Sequence, residues 1–390
     1  MKVPVSGQIT GQPEADNLAQ VAMSGHYAAG PWSHRFEREF GNFMGARHAI
    51  LCNSGSSANL LALAALELPK GSEVLTTAVN FPTTVNAIIQ LGLVPVFVDS
   101  DPKTLNLAGR FNPHGTSAAI IAHTLGNPVR LPNVYEKDGT PYPIIEDCCD
   151  AVGSTLDYKR PNFEKQIDEI YTLKVGQGAI MSTVSFYPAH HMTMGEGGCV
   201  LTDSPKLKKV IESYRDWGRD CWCEPGEDNT CGTRWDGDYD HKYTYSRIGY
   251  NLKASDLQAA VGVAQLERLQ GFIDSRRRNW AYLREGLNGL PVEFVEATPN
   301  SDPSWFGLAF LAPERNKLAQ FLDTKGIGNR PIMGGNLLRQ SAYENVPHRV
   351  IGNLDGANKI HEQGLWIGCW PGIDQAMMDY TIDTMREFFA

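Results

Sequence analysis

The sequence predicts an α/β chain: a three-layer large domain on a mainly parallel sheet, over residues 1–275, followed by a smaller α+β domain, over residues 276–390. Three observations carry this expectation. Short apolar runs of β type alternate with helical runs between residues 49 and 145, and such alternation is the signature of parallel strands joined by crossover helices. A chain of 390 residues is long enough for one large core and a second, smaller one. Polar residues stand just where strand-like runs stop, at His123, Asp147 and Ser185. Sites in parallel sheets gather beyond the carboxyl ends of the strands, so these three can share one cleft.

Taken in order, residues 12–24 read as a helix. Residues 33–44 read as a second, with Phe36, Phe40 and Phe43 on one face at helical spacing and best explained as core. A strand at 49–52 precedes the small-residue turn Asn53-Ser54-Gly55-Ser56-Ser57-Ala58-Asn59 and a helix over 60–68. A turn of that kind opening a helix presents N–H groups and hydroxyls to an anion, although plain helix capping would explain it too. Strands are expected at 73–77, 94–98, 117–123 and 142–145, and a helix at 83–91. Residues 157–179 interrupt the rhythm as a polar surface excursion, read as a small hairpin. A strand over 180–186 leads into Tyr187-Pro188-Ala189-His190-His191-Met192-Thr193-Met194-Gly195-Glu196-Gly197-Gly198, and a strand over 199–201 leaves it. Two adjacent histidines in a loop beside a sheet can carry protons near neutral pH, whereas one packing and one surface histidine is the plainer account. Helices follow at 205–217 and 253–272, then strands at 292–295 and 308–311, and helices at 316–324 and 380–389.

A net charge of -9 disfavours nucleic-acid binding, and 42% apolar content is ordinary for a globular chain. No run approaches the roughly 20 apolar residues of a membrane-spanning helix. The first residues lack the pattern of a signal peptide, so a cytoplasmic protein is expected. Of eight cysteines, Cys148 and Cys149 are adjacent, while Cys221, Cys223 and Cys231 crowd the long segment 218–250. A loop of that length calls for a structural reason. Three of its thiolates with one from the Cys148-Cys149 pair would suit zinc or an iron–sulfur cluster equally well by ligand type, and packed free thiols are the alternative. Trp217, Trp222 and Trp235 stand close enough in sequence to shield such a centre.

Several long runs together resemble the DegT/DnrJ/EryC1/StrS family of sugar aminotransferases and dehydratases, and within it the CDP-4-keto-6-deoxy-D-glucose 3-dehydrase branch. They are Gly55-Ser56-Ser57-Ala58-Asn59-Leu60-Leu61, Glu146-Asp147-Cys148-Cys149-Asp150, the stretch 185–198, Arg215-Asp216-Trp217-Gly218-Arg219-Asp220-Cys221 and Ser304-Trp305-Phe306-Gly307. The resemblance implies the fold type I, aspartate-aminotransferase-like scaffold of pyridoxal phosphate (PLP) enzymes. It implies that His190 stands where aminotransferase members keep a lysine that bonds covalently to the cofactor. An imidazole cannot form that bond, so pyridoxamine 5′-phosphate (PMP) held non-covalently is expected, with His190 as the acid–base group. Asp147 then pairs with the pyridine nitrogen, Ser56, Ser57 and Ser185 surround the phosphate, and Phe81 stacks on the ring. Asn251 reaches the phosphate of a neighbouring subunit, in a homodimer with shared sites. His123 and Arg330 are substrate-side candidates.

By the same resemblance, Cys149, Cys221, Cys223 and Cys231 would hold a [2Fe-2S] cluster fed by an NADH-dependent iron–sulfur flavoprotein reductase. The expected reaction removes the 3-hydroxyl of a nucleotide-linked 4-keto-6-deoxyhexose in dideoxysugar and lipopolysaccharide biosynthesis. The excursion at 157–179 is longer than the family pattern, and TDP- and GDP-linked 3-dehydratases belong to the same group, so the nucleotide stays open. A sugar aminotransferase is the second reading, opposed by the lysine missing at position 190. A zinc-stabilised inactive scaffold is the third, opposed by the surviving Asp147, serines and histidine.

Overall fold

The computed structural model describes residues 1–131, 142–162, 167–221, 223, 230–232 and 235–390. The chain enters through α1 (Gln12–Ser24) and α2 (Pro31–Met44), each with proline in its first turn, where no amide hydrogen is missed. On α2, the buried rings of Phe36 and Phe40 stack 5.3 Å apart. Both meet Phe186 edge-on, at 5.2 and 5.1 Å. Phe186 begins the two-histidine loop, so this aromatic cluster fixes where that loop leaves the sheet.

Then come β1 (His48–Cys52), α3 (Gly55–Ala64), β2 (Glu73–Thr77), α4 (Pro82–Gln90), β3 (Val94–Val98), β4 (Ala118–Ala122) and β5 (Ile144–Asp147). A hairpin of β6 (Thr155–Asn162) and β7 (Ile167–Lys174) follows, then β8 (Met181–Ser185) and β9 (Gly198–Thr202). The large sheet runs β1-β9-β8-β5-β4-β2-β3 and ends on the two-residue strand Arg349–Val350. Only β9 runs against its neighbours; the other pairings are parallel. Side chains alternate between two cores. Ile50 and Cys52 of β1 pack with α3 and α4, whereas Ala49 and Leu51 pack with α2 and the later helix α6. That two-residue period makes three layers of one sheet.

The excursion is the expected hairpin, its residues 163–166 lying outside the described ones. Its return is tied to β5 by Glu146, whose carboxylate accepts the N–H groups of Gly176 at 2.6 Å and Gly178 at 3.1 Å.

After α5 (Pro205–Arg215) comes α6 (Asp256–Gly286), opened by the capping box of Ser255 and Gln258. The sequence pattern ends this helix near residue 272. It runs on to Gly286, and Arg276 within it is buried and bonded to carbonyls of other segments. The remainder forms a four-stranded antiparallel sheet of Glu293–Phe294, Gly307–Leu311, Gly364–Gly368 and Asn329–Pro331. With it go α7 (Arg315–Thr324), α8 (Asp355–Gln363) and α9 (Gln375–Phe389). Among the described residues no helix is long and apolar enough to cross a membrane.

Candidate active site

A cavity of about 680 Å³ opens beyond the carboxyl ends of β4, β5 and β8, where ligands of parallel sheets bind. The first turn of α3 forms one wall. That helix begins at Gly55 rather than near residue 60, so Gly55 and Ser56 are themselves N-terminal helical residues and face the cavity. Ser54 caps it, its Oγ accepting the Ser57 N–H at 3.1 Å. A Cβ on Gly55 would lie 2.5 Å from Ser185 Cβ, and one on Gly198 would lie 2.1 Å from the Ser54 carbonyl oxygen. Helix start and strand ends are therefore pressed together, which explains Gly198, while a Cβ on Gly197 would instead meet Met194 Sδ at 2.9 Å. Helix N–H groups, Ser56 and Ser185 make a cradle suited to a phosphate.

Asp147 faces the cavity from the end of β5 and is almost fully buried. Its Oδ2 accepts hydrogen bonds from Asn59 Nδ2 at 2.8 Å and Thr84 Oγ1 at 2.7 Å, and its Oδ1 accepts the Cys149 N–H at 3.1 Å. Asn59 is oriented in turn by Thr183 Oγ1, which donates to its Oδ1 at 2.6 Å. A buried carboxylate so well supplied with donors is held in place and oriented to pair with a cationic ring nitrogen. Phe81, at the start of α4, presents a half-exposed ring to the same cavity.

His190 lines the cavity with its ring 5.5 Å from Phe306, and its Nδ1 lies 3.5 Å from Asp150 Oδ1. His191 turns away, is buried, and bonds the Ser304 carbonyl through Nε2 at 2.9 Å. Burial, helped by the nearby Arg276 charge, pushes its pKa well below the usual histidine value. The two histidines are thus separated into a cavity residue and a packing residue. His123 also lines the cavity, but both its nitrogens are engaged. Nδ1 accepts the Val129 N–H at 2.8 Å, so the Nε2 hydrogen goes to Glu146 Oε2 at 2.9 Å. It offers a ring face rather than a base. Arg330 is exposed at the cavity rim.

The structure thus brings Ser56, Phe81, His123, Asp147, Cys149, Ser185, His190 and Arg330 to one cavity. Ser57 is not among its lining; its hydroxyl donates to Asn53 Oδ1 at 2.6 Å. Asn251 is exposed, pairs with Asp216 through a β-bridge and does not line the cavity. Cys221, Cys223 and Cys231 gather elsewhere, in the 218–250 loop. Their sulfurs and a nitrogen of His241 all lie within 4.8 Å of one another. Cys149 is outside that group, in the cavity beside Asp147, where burial and then the Asp147 charge push its thiol well up. His241 Nε2 is 3.4 Å from Cys223 Sγ, and its Nδ1 is 3.4 Å from Asp240 Oδ1. Backbone N–H groups of Cys223 and Cys231 point at Cys221 Sγ and Cys223 Sγ, at 3.3 and 3.4 Å. Although burial works against it, bonds from Thr230, the Cys231 N–H and His241 bring the Cys223 thiol down to about 5. Burial pushes the Cys221 thiol the other way, up to about 11, yet three thiols and an imidazole this close together suit a thiophilic metal. Trp222 falls outside the described residues; Trp217 and Trp235 are largely exposed.

Sequence reasoning missed Asn59, Thr84 and Asp150 as supports. Asn59 alone gave a signal, standing one helical turn after Gly55 on the face that meets the sheet.

Residues 8–386 match the model of the DegT/DnrJ/EryC1/StrS aminotransferase family. The chain belongs to that family. Among DegT/DnrJ/EryC1/StrS relatives, lipopolysaccharide biosynthesis protein RfbH of Salmonella typhimurium is 45% identical over 99% of this chain and 92% of its own length. The dTDP-4-dehydro-2,6-dideoxy-D-glucose 3-dehydratase of Saccharopolyspora spinosa is also 45% identical, over 99% of this chain and 86% of its own. A solved structure of E. coli GDP-4-keto-6-deoxy-D-mannose-3-dehydratase with bound hydrated PLP superposes with a TM-score of 0.83, at 27% identity and full coverage of both chains. The fold is accordingly that of the PLP-dependent sugar aminotransferases and dehydratases.

Proposed function

We propose that this protein is a PMP-dependent 3-dehydratase of a nucleotide-linked 4-keto-6-deoxyhexose. One observation carries the reading: among the described residues no lysine lines the cavity, and His190 projects there from the loop after β8. The 3-dehydratase names of the relatives quoted above support it. The residues present fit the cofactor. The α3 N-terminus with Ser56 and Ser185 would hold its phosphate, Asp147 its pyridine nitrogen and Phe81 its ring. When bound, PMP supplies an amine that condenses with the 4-ketone and an electron sink that lets the 3-hydroxyl depart. Asp147 keeps the ring nitrogen protonated. Nε2 of His190, the nitrogen turned away from Asp150, takes a proton from carbon and can return it to the departing hydroxyl, so that water leaves and the proton count balances. Phe306 and Trp366, which line the cavity, exclude solvent from that exchange.

The test supplies CDP-, dTDP- and GDP-linked 4-keto-6-deoxyhexoses to protein loaded with PMP, and separately to protein with PLP and glutamate. Loss of the 3-hydroxyl in the first arm is expected. A 4-amino sugar in the second arm without dehydration in the first would overturn the proposal in favour of an aminotransferase. The [2Fe-2S] cluster and its reductase would supply electrons for a reductive half of the reaction, and a homodimer would share sites between subunits.

A further inference from the structure

We propose that Asp150 is a positioning residue for His190, holding its imidazole in the tautomer with hydrogen on Nδ1 and a bare, basic Nε2 toward the cavity. This rests on the proposed role of His190, but its geometry can be tested without any reaction. Asp150 leaves β5 three residues after Asp147, so the ring-nitrogen partner and the support of the base hang from one strand end. Its carboxylate has two fixed sides. Oδ2 accepts the Leu125 N–H at 3.3 Å, and Oδ1 faces His190 Nδ1 at 3.5 Å. That nitrogen is buried and has no hydrogen-bond partner, and a buried ring nitrogen beside a carboxylate is best satisfied by carrying the hydrogen itself. Hydrogen bonds of catalytic groups are often long before ligand closes the site, and a shift of a few tenths of an ångström completes this one.

The rest of His190 is already held still. Its N–H donates to the Tyr187 carbonyl at 2.9 Å. Its own carbonyl, with that of Ala189, accepts from the buried Arg276 guanidinium at 3.0 and 3.3 Å. Phe306 packs against the ring, its centroid 5.5 Å away and its plane tilted by 46°. With main chain and ring plane fixed, the remaining freedom is which nitrogen bears the hydrogen. Asp150 decides it.

The test uses Asp150→Asn, the same shape with an inverted bonding pattern. Because the amide oxygen must accept the Leu125 N–H, its NH2 group faces Nδ1 and donates to it, forcing hydrogen onto Nε2. In 15N-histidine-labelled protein, with His190 assigned by its loss in His190→Gln, the unmodified chain should show a protonated Nδ1 and a pyridine-like Nε2. Asp150→Asn should reverse the two. Asp150→Ala should show neither preference, and added formate should restore the original pattern. In PMP-loaded protein, exchange of the cofactor's C4′ proton should fall about a hundredfold or more in Asp150→Asn, with PMP affinity retained. An unchanged His190 tautomer in folded Asp150→Asn overturns the proposal, whatever the activity. A reversed tautomer with no dehydration in the unmodified protein would leave Asp150 in its role and sink the functional reading instead.

Discussion

Asp147 illustrates how a buried carboxylate is supplied with hydrogen-bond donors inside a cavity. Its three donors come from α3, α4 and its own strand exit, and none is a cation. A hydrogen bond to a charged group is worth about 1.5–3 kcal/mol, so Asn59→Ala should weaken PMP binding by roughly tenfold to a hundredfold. Titration of the cofactor's absorbance measures this, and unchanged affinity would show that Thr84 and the Cys149 N–H suffice. His191 gives a pH dependence of definite sign. Burial holds its folded pKa well below the ordinary value, whereas the unfolded chain titrates near 6.5. Below that pH the unfolded state binds the extra proton, so stability is full above about 6.5 and is lost as pH falls, by at most about 1.4 kcal/mol per pH unit. Thermal melts across that range should show the loss, and His191→Gln should flatten the slope.

At the scale of elements, the approach of α3 to the sheet is the demanding feature. Gly198→Ala drives a Cβ into the Ser54 carbonyl, with only backbone there to yield. Overpacking of this kind costs about 1–3 kcal/mol. A lower melting temperature together with weaker PMP binding is expected, and stability loss with binding intact would mean that the cradle re-forms elsewhere. The 218–250 loop makes a separate prediction. Anaerobically purified protein should carry iron or zinc that Cys223→Ser removes, as metal analysis would show. Comparing Cys149→Ser with His241→Ala then identifies the fourth donor. The sequence made the three loop cysteines legible by their crowding, but His241 lies ten residues beyond Cys231 and carries no spacing signal. Asp147 was readable because it closes a strand. Thr84 was not, and Asn59 was only hinted at by its place one turn after Gly55, because folding alone brings residues 88 and 63 positions away to the same oxygen. Ser57 stands off the cavity lining: with α3 starting at Gly55, the helical turn carries its hydroxyl toward Asn53.

Over the whole molecule, the cavity has two owners. Its floor belongs to the parallel sheet, while Arg330 and Trp366 come from the antiparallel one and Phe306 and Met333 from segments flanking its strands. α6 belongs to both, and Arg276 on it bonds Phe306 on one side and the His190 loop on the other. Ligand binding should therefore stabilise the chain as a unit. At a hundred times its dissociation constant, PMP should add about 2.7 kcal/mol and move one calorimetric transition upward. Two transitions, of which only one moves, would show that the sheets melt independently.

The contact of Gly55 with Ser185 has a metrical consequence. Ser185 and His190 are five residues apart on one strand exit, so under the proposed function the loop would work as a caliper with one jaw at the anion and the other at the base. The span between the jaws is set by main chain, which cannot stretch. A pyridoxamine lacking its phosphate would keep its ring chemistry and lose its datum, sliding along Phe81 without a fixed reach to Nε2. Under that reading the phosphate, remote from every bond that changes, would set the gauge.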